Sequence, residues 1–313
     1  MLAVCRLLTL PSLVLGFKSG VELNLAIIAK AMAKQEYSAE WVEKYFDEFG
    51  GNEWDRLTRT PGREVQLEAH NQILREVIRP GDRVLEIGAG AGRFTFALAQ
   101  LEAAVTVVDI SQVQLDLNQA NGIEYGFEPC VEARHKLDFC AMPDLIDGSF
   151  DAVVCIGGPF SYVLNRRFEA LQECVRVLRP RGALVAGVMG LWGTIHQYLG
   201  GVLGYTPAEN ERIVETGDLT VSNSKLATHF CHMFRSGELA AFLRSGGLSV
   251  ELLSASSCLS AVHEDSLLEA KADSVKWSQL IRLDIEASRQ PGCLDGGTHI
   301  IGVARKPLED ALV

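Results

Sequence analysis

The sequence has no C-x-x-C pair, no basic cluster, no low-complexity tract and no internal repeat. Each lack removes a class of function. The eight cysteines (Cys5, Cys130, Cys140, Cys155, Cys174, Cys231, Cys258 and Cys293) are scattered. Zinc-ribbon and dithiol-redox readings therefore have no support, and no metal is expected. Several of these thiols fall inside apolar patterns, where a reduced cysteine behaves as a small hydrophobe. Lysine and arginine number 29 against 40 aspartates and glutamates, a net charge of −11. Basic residues gather only in short pairs such as Arg166-Arg167, whereas a chain that tracks a phosphate backbone carries a basic stripe. Nucleic acid is not expected as a partner. The apolar run at 7–17 is shorter than the roughly 20 residues a bilayer crossing needs, so no stable membrane span is expected there. Residues 1–21 hold no acid but carry Arg6 and Lys18, the outline of a signal or transit segment without a clear small-x-small cleavage site. Residues 1–36 read as an amino-terminal extension, with organelle targeting through 1–21 as the alternative.

What the chain does contain is concentrated at residues 84–94, Val-Leu-Glu-Ile-Gly-Ala-Gly-Ala-Gly-Arg-Phe. An apolar strand passes through Glu86 into glycines at alternate positions, Gly88, Gly90 and Gly92. A helical pattern follows over 93–101, and a second apolar run over 103–108 ends in Asp109. A strand, a glycine turn, a helix and a second strand tipped with a carboxylate form a nucleoside-binding unit at the carboxyl ends of parallel strands. The dinucleotide pattern G-x-G-x-x-G counted from Gly88 requires glycine where Arg93 stands. Glu86 is also foreign to a pyrophosphate site; a carboxylate there suits an ammonium group. Asp109 follows Gly88 by 21 residues, close to the spacing of about 20 for an acid that holds ribose hydroxyls.

The surrounding pattern predicts an α/β fold. Helices are expected over 38–57, rich in aromatics (Trp41, Tyr45, Phe46, Phe49, Trp54), and over 62–78. Strands at 83–87, 103–108, 130–133, 150–156 and 183–189 alternate with helices at 93–101, 111–121 and 165–178, Ser111 serving as an N-cap. Such alternation predicts a parallel sheet with helices on both faces and right-handed crossovers. After Gly190 about 45 residues pass before helix 236–244, a connection long enough to be functional. Strand 248–255, a helical stretch 264–286 and strand 298–304 close the chain. The expected organisation is one domain over 37–313, with a helical cap built by insertions at about 190–234 and 261–297.

These residues resemble the class I S-adenosylmethionine-dependent methyltransferases, and among them the small-molecule branch that includes ubiquinone-type methyltransferases. The resemblance implies a seven-stranded Rossmann-like methyltransferase sheet with an antiparallel final pair, S-adenosyl-L-methionine as cofactor, and a small-molecule O, N or C acceptor. It implies that Glu86 and the backbone of Gly88, Ala89, Gly90 and Gly92 hold the methionine part. Asp109, with Ile110 beside it, would hold the ribose; Asp138 and Phe139 would meet the adenine; Ile156 would end the strand that passes the methyl group. Enzymes that methylate nucleic-acid amines often carry Asn/Asp-Pro-Pro-aromatic at this strand end. Here Gly157-Gly158-Pro159-Phe160 removes the side chain that would hold a flipped base, leaving backbone carbonyls, Ser161 and Tyr162. A cytosolic methyl donor implies a cytoplasmic enzyme, and the helix at 41–54 resembles one that covers the donor.

Methyl transfer from a sulfonium needs alignment and exclusion of water more than acid–base help. A base is useful for a hydroxyl or a protonated amine. His229 is the leading candidate, ahead of His196, His232 and His299, with Tyr162 as the second candidate catalytic residue. Asp284 and Glu286 are candidate amine anchors. His229 and His232 point to opposite faces at strand spacing, against a shared metal site. An NAD(P)-dependent reductase is the alternative class, disfavoured by Arg93 and by the lack of a Tyr-x-x-x-Lys pair after the fourth strand. A non-catalytic cofactor-binding protein of the same fold is the third, and the intact glycine loop argues against it.

Overall fold

The computed structural model describes residues 36–220, 223–224 and 229–308. The segment read as a signal or transit sequence lies outside the described residues. Helix α1 (Ala39–Phe49) is capped by Ser38, whose Oγ accepts from Trp41 N. It stops where Gly50 takes φ +53°, so the single helix expected over 38–57 is instead α1 followed by the one-turn α2 (Asn52–Asp55). Helix α3 (Pro61–Val77) starts with proline at its first position behind the Thr60 cap.

The central alternation follows: β1 (Arg83–Ile87), α4 (Arg93–Gln100), β2 (Ala104–Asp109), α5 (Gln112–Tyr125), β3 (Val131–Lys136) and β4 (Phe150–Cys155). Next come the one-turn α6 (Pro159–Tyr162), α7 (Arg167–Val177) and β5 (Leu178–Met189). Helix α5 runs a turn beyond the expected 121 and ends where Gly126 takes φ +79°. The first insertion holds α8 (Leu191–Gln197), α9 (Leu199–Val202) and α10 (Pro207–Thr216), then a two-strand ribbon of β6 (Asp218–Leu219) and β7 (Cys231–His232). Helix α11 (Ser236–Ser245) and β8 (Ser249–Ala255) return to the sheet. The helical stretch expected over 264–286 is two helices, α12 (Glu264–Lys271) and α13 (Ser274–Ser288). Asp273 divides them by accepting from Val275 N and Lys276 N as a new N-cap. Strand β9 (His299–Arg305) ends the described fold.

The seven long strands form one sheet in the order β3-β2-β1-β4-β5-β9-β8. Only β9 is reversed, antiparallel to both β5 and β8, the final pair that the resemblance implied. Because β9 is reversed, its first residue pairs with the last of β5, His299 opposite Met189. The start of β9 therefore joins the carboxyl ends of the parallel strands. Period-two alternation sends Leu85, Val153 and Leu184 into a core under α7 and α11, and Val84, Val154 and Val185 into a second core under α3, α4 and α5. Among the described residues no helix is long and apolar enough to cross a membrane.

Candidate active site

A cavity of about 1040 Å³ runs along the carboxyl edge of the sheet. Its floor at one end is the glycine loop. Gly88 takes φ +66°, and a Cβ there would stand 2.6 Å from Pro159 Cγ. Gly90 N donates to Asp109 Oδ2 at 2.9 Å and Ser111 N donates to Oδ1 at 2.9 Å, so loop and next helix fix the carboxylate between them. Burial pushes Asp109 up to about 6, against the backbone N–H groups that favour its charge. Gly88, Ala89, Gly90, Asp109 and Ile110 all border the cavity. So do Asp138, Phe139 and Ile156. Asp138 accepts from Cys140 N at 2.9 Å and has the Arg166 guanidinium 3.5 Å away, while Phe139 packs edge-on against Phe160.

Two residues expected here do not border the cavity. Glu86 shares the sheet face of Val84, beneath α4, and is 2% exposed. Its Oε2 accepts from Thr95 Oγ1 at 2.6 Å; Thr95 accepts from Asn118 Nδ2, and Asn118 from Arg134 Nε. Strand alternation thus turns Glu86 into the core beneath α4 rather than toward the cavity. Burial pushes its carboxyl up to about 8, outweighing the Thr95 hydrogen bond. Gly92 instead begins α4 at φ +95°, and the space a Cβ would need is filled by Asn118 and Phe127.

Other candidates divide the same way. Tyr162 and His229 both border the cavity, with His229 Nε2 3.1 Å from Tyr162 Oη. Burial lowers His229 to about 4 and raises Tyr162 well above its ordinary value. Ser161 is fully buried and accepts from Met189 N, tying α6 to β5. His232 lies between Asp218 and Glu238, each 2.7 Å away, and points away from the cavity. Asp284 is fully buried and accepts from Cys258 N, Ser260 N and Ser288 Oγ, which makes it a loop anchor. Glu286 and His196 are exposed outside the cavity; His299 borders it. Of the aromatic segment, Tyr45, Phe46 and Phe49 face the cavity, whereas Trp41 packs at a tilt against Phe230 and Trp54 lies under the Arg93 guanidinium. Arg93, the residue that broke the dinucleotide pattern, donates from Nε to Trp54 O at 2.9 Å and fastens α2 over the loop.

The sequence reading missed a row of charged side chains on α2 and α3. Glu53 and Arg56 form a 2.9 Å ion pair at the cavity wall. Glu53 Cγ lies 2.9 Å from the place of a Cβ on Gly90, and Arg56 Nη2 lies 3.6 Å from that of Gly157. The pair therefore spans the glycine loop and the tip of β4. Arginines at 56, 59 and 63, three and four residues apart, were the available signal.

Comparison with known proteins points the same way. Residues 84–182 match the family model described as a methyltransferase domain. The ubiquinone biosynthesis O-methyltransferase of Xanthomonas axonopodis pv. citri is 27% identical over 204 residues, covering 63% of this chain and 76% of that protein. The chain is an S-adenosylmethionine-dependent methyltransferase with a methyltransferase domain at 84–182, and its similarities support the class I type. The release factor glutamine methyltransferase of Rhodopirellula baltica is 34% identical to this methyltransferase over 144 residues, 43% of the chain and 45% of that protein. A SAM-dependent methyltransferase from Methanosarcina mazei shares the fold, with a TM-score of 0.51, 19% identity, and coverage of 76% of this chain and 98% of that one. The methyltransferase's cofactor is S-adenosyl-L-methionine, and the donor end suits it. Gly88, Gly90 and Gly157 bring backbone to the cavity without a Cβ, a fixed carboxylate stands at Asp109, and Phe139 offers an apolar face.

Proposed function

We propose that residues 37–313 act as one cytoplasmic methyltransferase domain that methylates a small-molecule oxygen, nitrogen or carbon, with 190–234 and 261–297 as its cap. The observation that carries this reading is the single cavity joining Asp109 and Asp138 to Tyr162, His229 and His299. At about 1040 Å³ it exceeds the range of roughly 300–1,000 Å³ usual for one ligand, which leaves room for a donor and an acceptor together. When bound, S-adenosylmethionine supplies a methyl group already activated on a sulfonium. Asp109 accepts from ribose hydroxyls, Asp138 accepts from the adenine amine, and Phe139 covers the ring. Glu53 and Arg56 take the place first given to Glu86, one charge for the ammonium and one for the carboxylate of the methionine part.

Tyr162 and His229 orient the acceptor. An orphaned N–H costs more than an under-used acceptor, and His229 Nδ1 is buried without a partner. The favoured tautomer therefore donates from Nε2 to Tyr162 Oη and leaves the tyrosine hydrogen for the acceptor. With its pKa near 4, His229 is a weak proton acceptor at neutral pH. Alignment of donor and acceptor within the cavity supplies most of the rate.

Calorimetric titration with S-adenosylmethionine, S-adenosylhomocysteine and NADH tests the cofactor site. Transfer of labelled methyl groups to fractionated cell extract tests the acceptor class. Label is expected in the small-molecule fraction; label confined to protein or nucleic acid overturns the acceptor reading, and binding of NADH alone overturns the whole.

A further inference from the structure

The cavity also has a polar wall, built by α3 and the start of β9, that the proposed cofactor contacts leave unassigned. Arg63, in the first turn of α3, donates from Nη1 to Gln66 Oε1 at 2.7 Å and from Nη2 to Tyr198 Oη at 2.8 Å. Both partners are neutral, and among the described residues its guanidinium has no carboxylate partner. Two of its five N–H groups are committed, and three remain. The neighbouring charges are matched or wet. Arg56 is paired with Glu53, Arg59 is exposed, and Glu264 accepts from Thr60 Oγ1 and Gly62 N at the start of α3.

Gln66 relays this polarity to the sheet. With Oε1 facing Arg63, its Nε2 donates to His299 Nδ1 at 3.0 Å. Nδ1 is then an acceptor, and the neutral ring carries its proton on Nε2. Burial, with Arg56, His70 and Arg63 nearby, holds His299 well below its ordinary pKa, so the ring stays neutral. Thr194 Oγ1 is buried without a partner, and Thr194 borders the same cavity.

We propose that this wall holds the carboxylate of the methyl acceptor, which is then a small organic acid with an apolar or aromatic body. The inference rests on the reading of the cavity as a joint donor and acceptor site. A guanidinium fork and an N–H donor suit the two oxygens of a carboxylate. Arg63 brings a positive charge with no ion-pair partner, which fits a monoanion; with the Glu264 carboxylate also bordering the cavity, a dianionic phosphate would leave buried negative charge uncompensated. In the order β4-β5-β9, His299 is two strands past the β4 tip, a separation of about 10 Å at the usual strand spacing. The carboxylate and the methylated atom therefore sit at opposite ends of the acceptor, with Tyr45, Phe46 and Tyr162 bordering the space for its body.

The test is calorimetric titration of the S-adenosylhomocysteine-loaded chain with pairs that differ only in charge: phenylacetate against phenylacetamide, and 3-phenylpropionate against its amide, with phenyl phosphate as a third arm. At least one acid is expected to bind ~10-fold or more tightly than its amide. Arg63→Gln is expected to bring that ratio to about one and to leave S-adenosylhomocysteine affinity within about twofold. If Arg63→Gln does not fold, His299→Phe, which removes the Nε2 donor, is read the same way. Equal affinity of acid and amide, binding by neither, a preference that survives the substitution, or tightest binding by phenyl phosphate would each overturn the proposal. Failure of the unaltered chain to bind S-adenosylhomocysteine would instead overturn the cofactor site beneath it.

Discussion

Gly88 and Pro159 meet so closely that Pro159 Cγ stands 2.6 Å from where a Cβ on Gly88 would be. The contact locks the end of β1 to the end of β4, and with them the cavity floor. Because Pro159 is a ring anchored at the start of α6, it cannot swing aside as a lysine tip would. Gly88→Ala therefore meets two penalties: about 1–2 kcal/mol for positive φ and about 1–3 kcal/mol for overpacking. Urea denaturation should show a loss of roughly 2–5 kcal/mol, the sum of the two. An unchanged midpoint would refute the contact.

Glu86→Gln should leave cofactor affinity within about twofold, because Glu86 does not border the cavity. Its effect falls on stability. The folded pKa of about 8 lies above the ordinary 4.5, so the stabilisation tied to its proton is complete below about pH 4.5 and is lost as pH rises through about 8. Glutamine keeps an oxygen for Thr95 and carries no proton to lose. Against wild type, the variant should gain on the order of a few kcal/mol between pH 6 and 9. Equal pH slopes in urea denaturation would contradict this, and a tenfold loss of affinity would return Glu86 to the ligand.

The contrast between Glu86 and Asp109 marks how far the sequence could be read. Strand boundaries near both were legible because apolar runs of five or six residues end at glycine or aspartate. The reversal of β9 and the face on which Glu86 lies were not. The reversal depends on how the long connection before β9 returns to the sheet, and the face on pairing register, where a shift of one residue exchanges the faces. The cap was legible only as a long interruption after Gly190. The polar wall in which Gln66 links Arg63 to His299 joins segments more than 230 residues apart, a proximity that local pattern does not encode. Helix ends were missed where a single glycine or aspartate, Gly50 or Asp273, cut a continuing apolar pattern.

The role proposed for Asp109 requires its charged form, and burial has moved its pKa to about 6. Protonation below that value removes the acceptor for ribose hydroxyls, so S-adenosylhomocysteine should bind more weakly as pH falls from 7 to 5. Asp109→Asn should bind ~10–100-fold more weakly at pH 7.5, the loss of a charge-assisted hydrogen bond, and should lack the acid limb. Calorimetry across this range checks both, and an acid limb that persists in the variant would point to another group.

Tyr162→Phe should lower kcat by ~10–100-fold with the acceptor, with S-adenosylhomocysteine affinity unchanged. Because His229 is held near 4, the pH–rate profile should show no limb near 6.5. A limb there that vanishes in His229→Asn would make His229 a general base with an ordinary pKa, contrary to its burial.

His232 closes the cap rather than serving the reaction. It is 2% exposed and lies between Asp218 at the start of β6 and Glu238 on α11. Burial disfavours its cation, but the two carboxylates outweigh burial and the repulsion of Arg167, so its pKa is raised. Glu238 is buried in part as well, yet the imidazolium draws its pKa down. The sign follows from each shift. Stability from His232 is complete below its unfolded pKa and is lost as pH rises through the folded value. That from Glu238 is present above its own unfolded pKa and is lost in acid. The clamp is therefore strongest in mildly acidic solution. Hydrogen exchange at 217–219 and 231–238 should be slowest there and should accelerate as pH rises, beyond the intrinsic increase. His232→Gln should abolish that excess and cost about 1–3 kcal/mol, the range for buried hydrogen bonds to charged groups. Exchange that follows only the intrinsic rate in the wild type would show that the cap is held by packing alone.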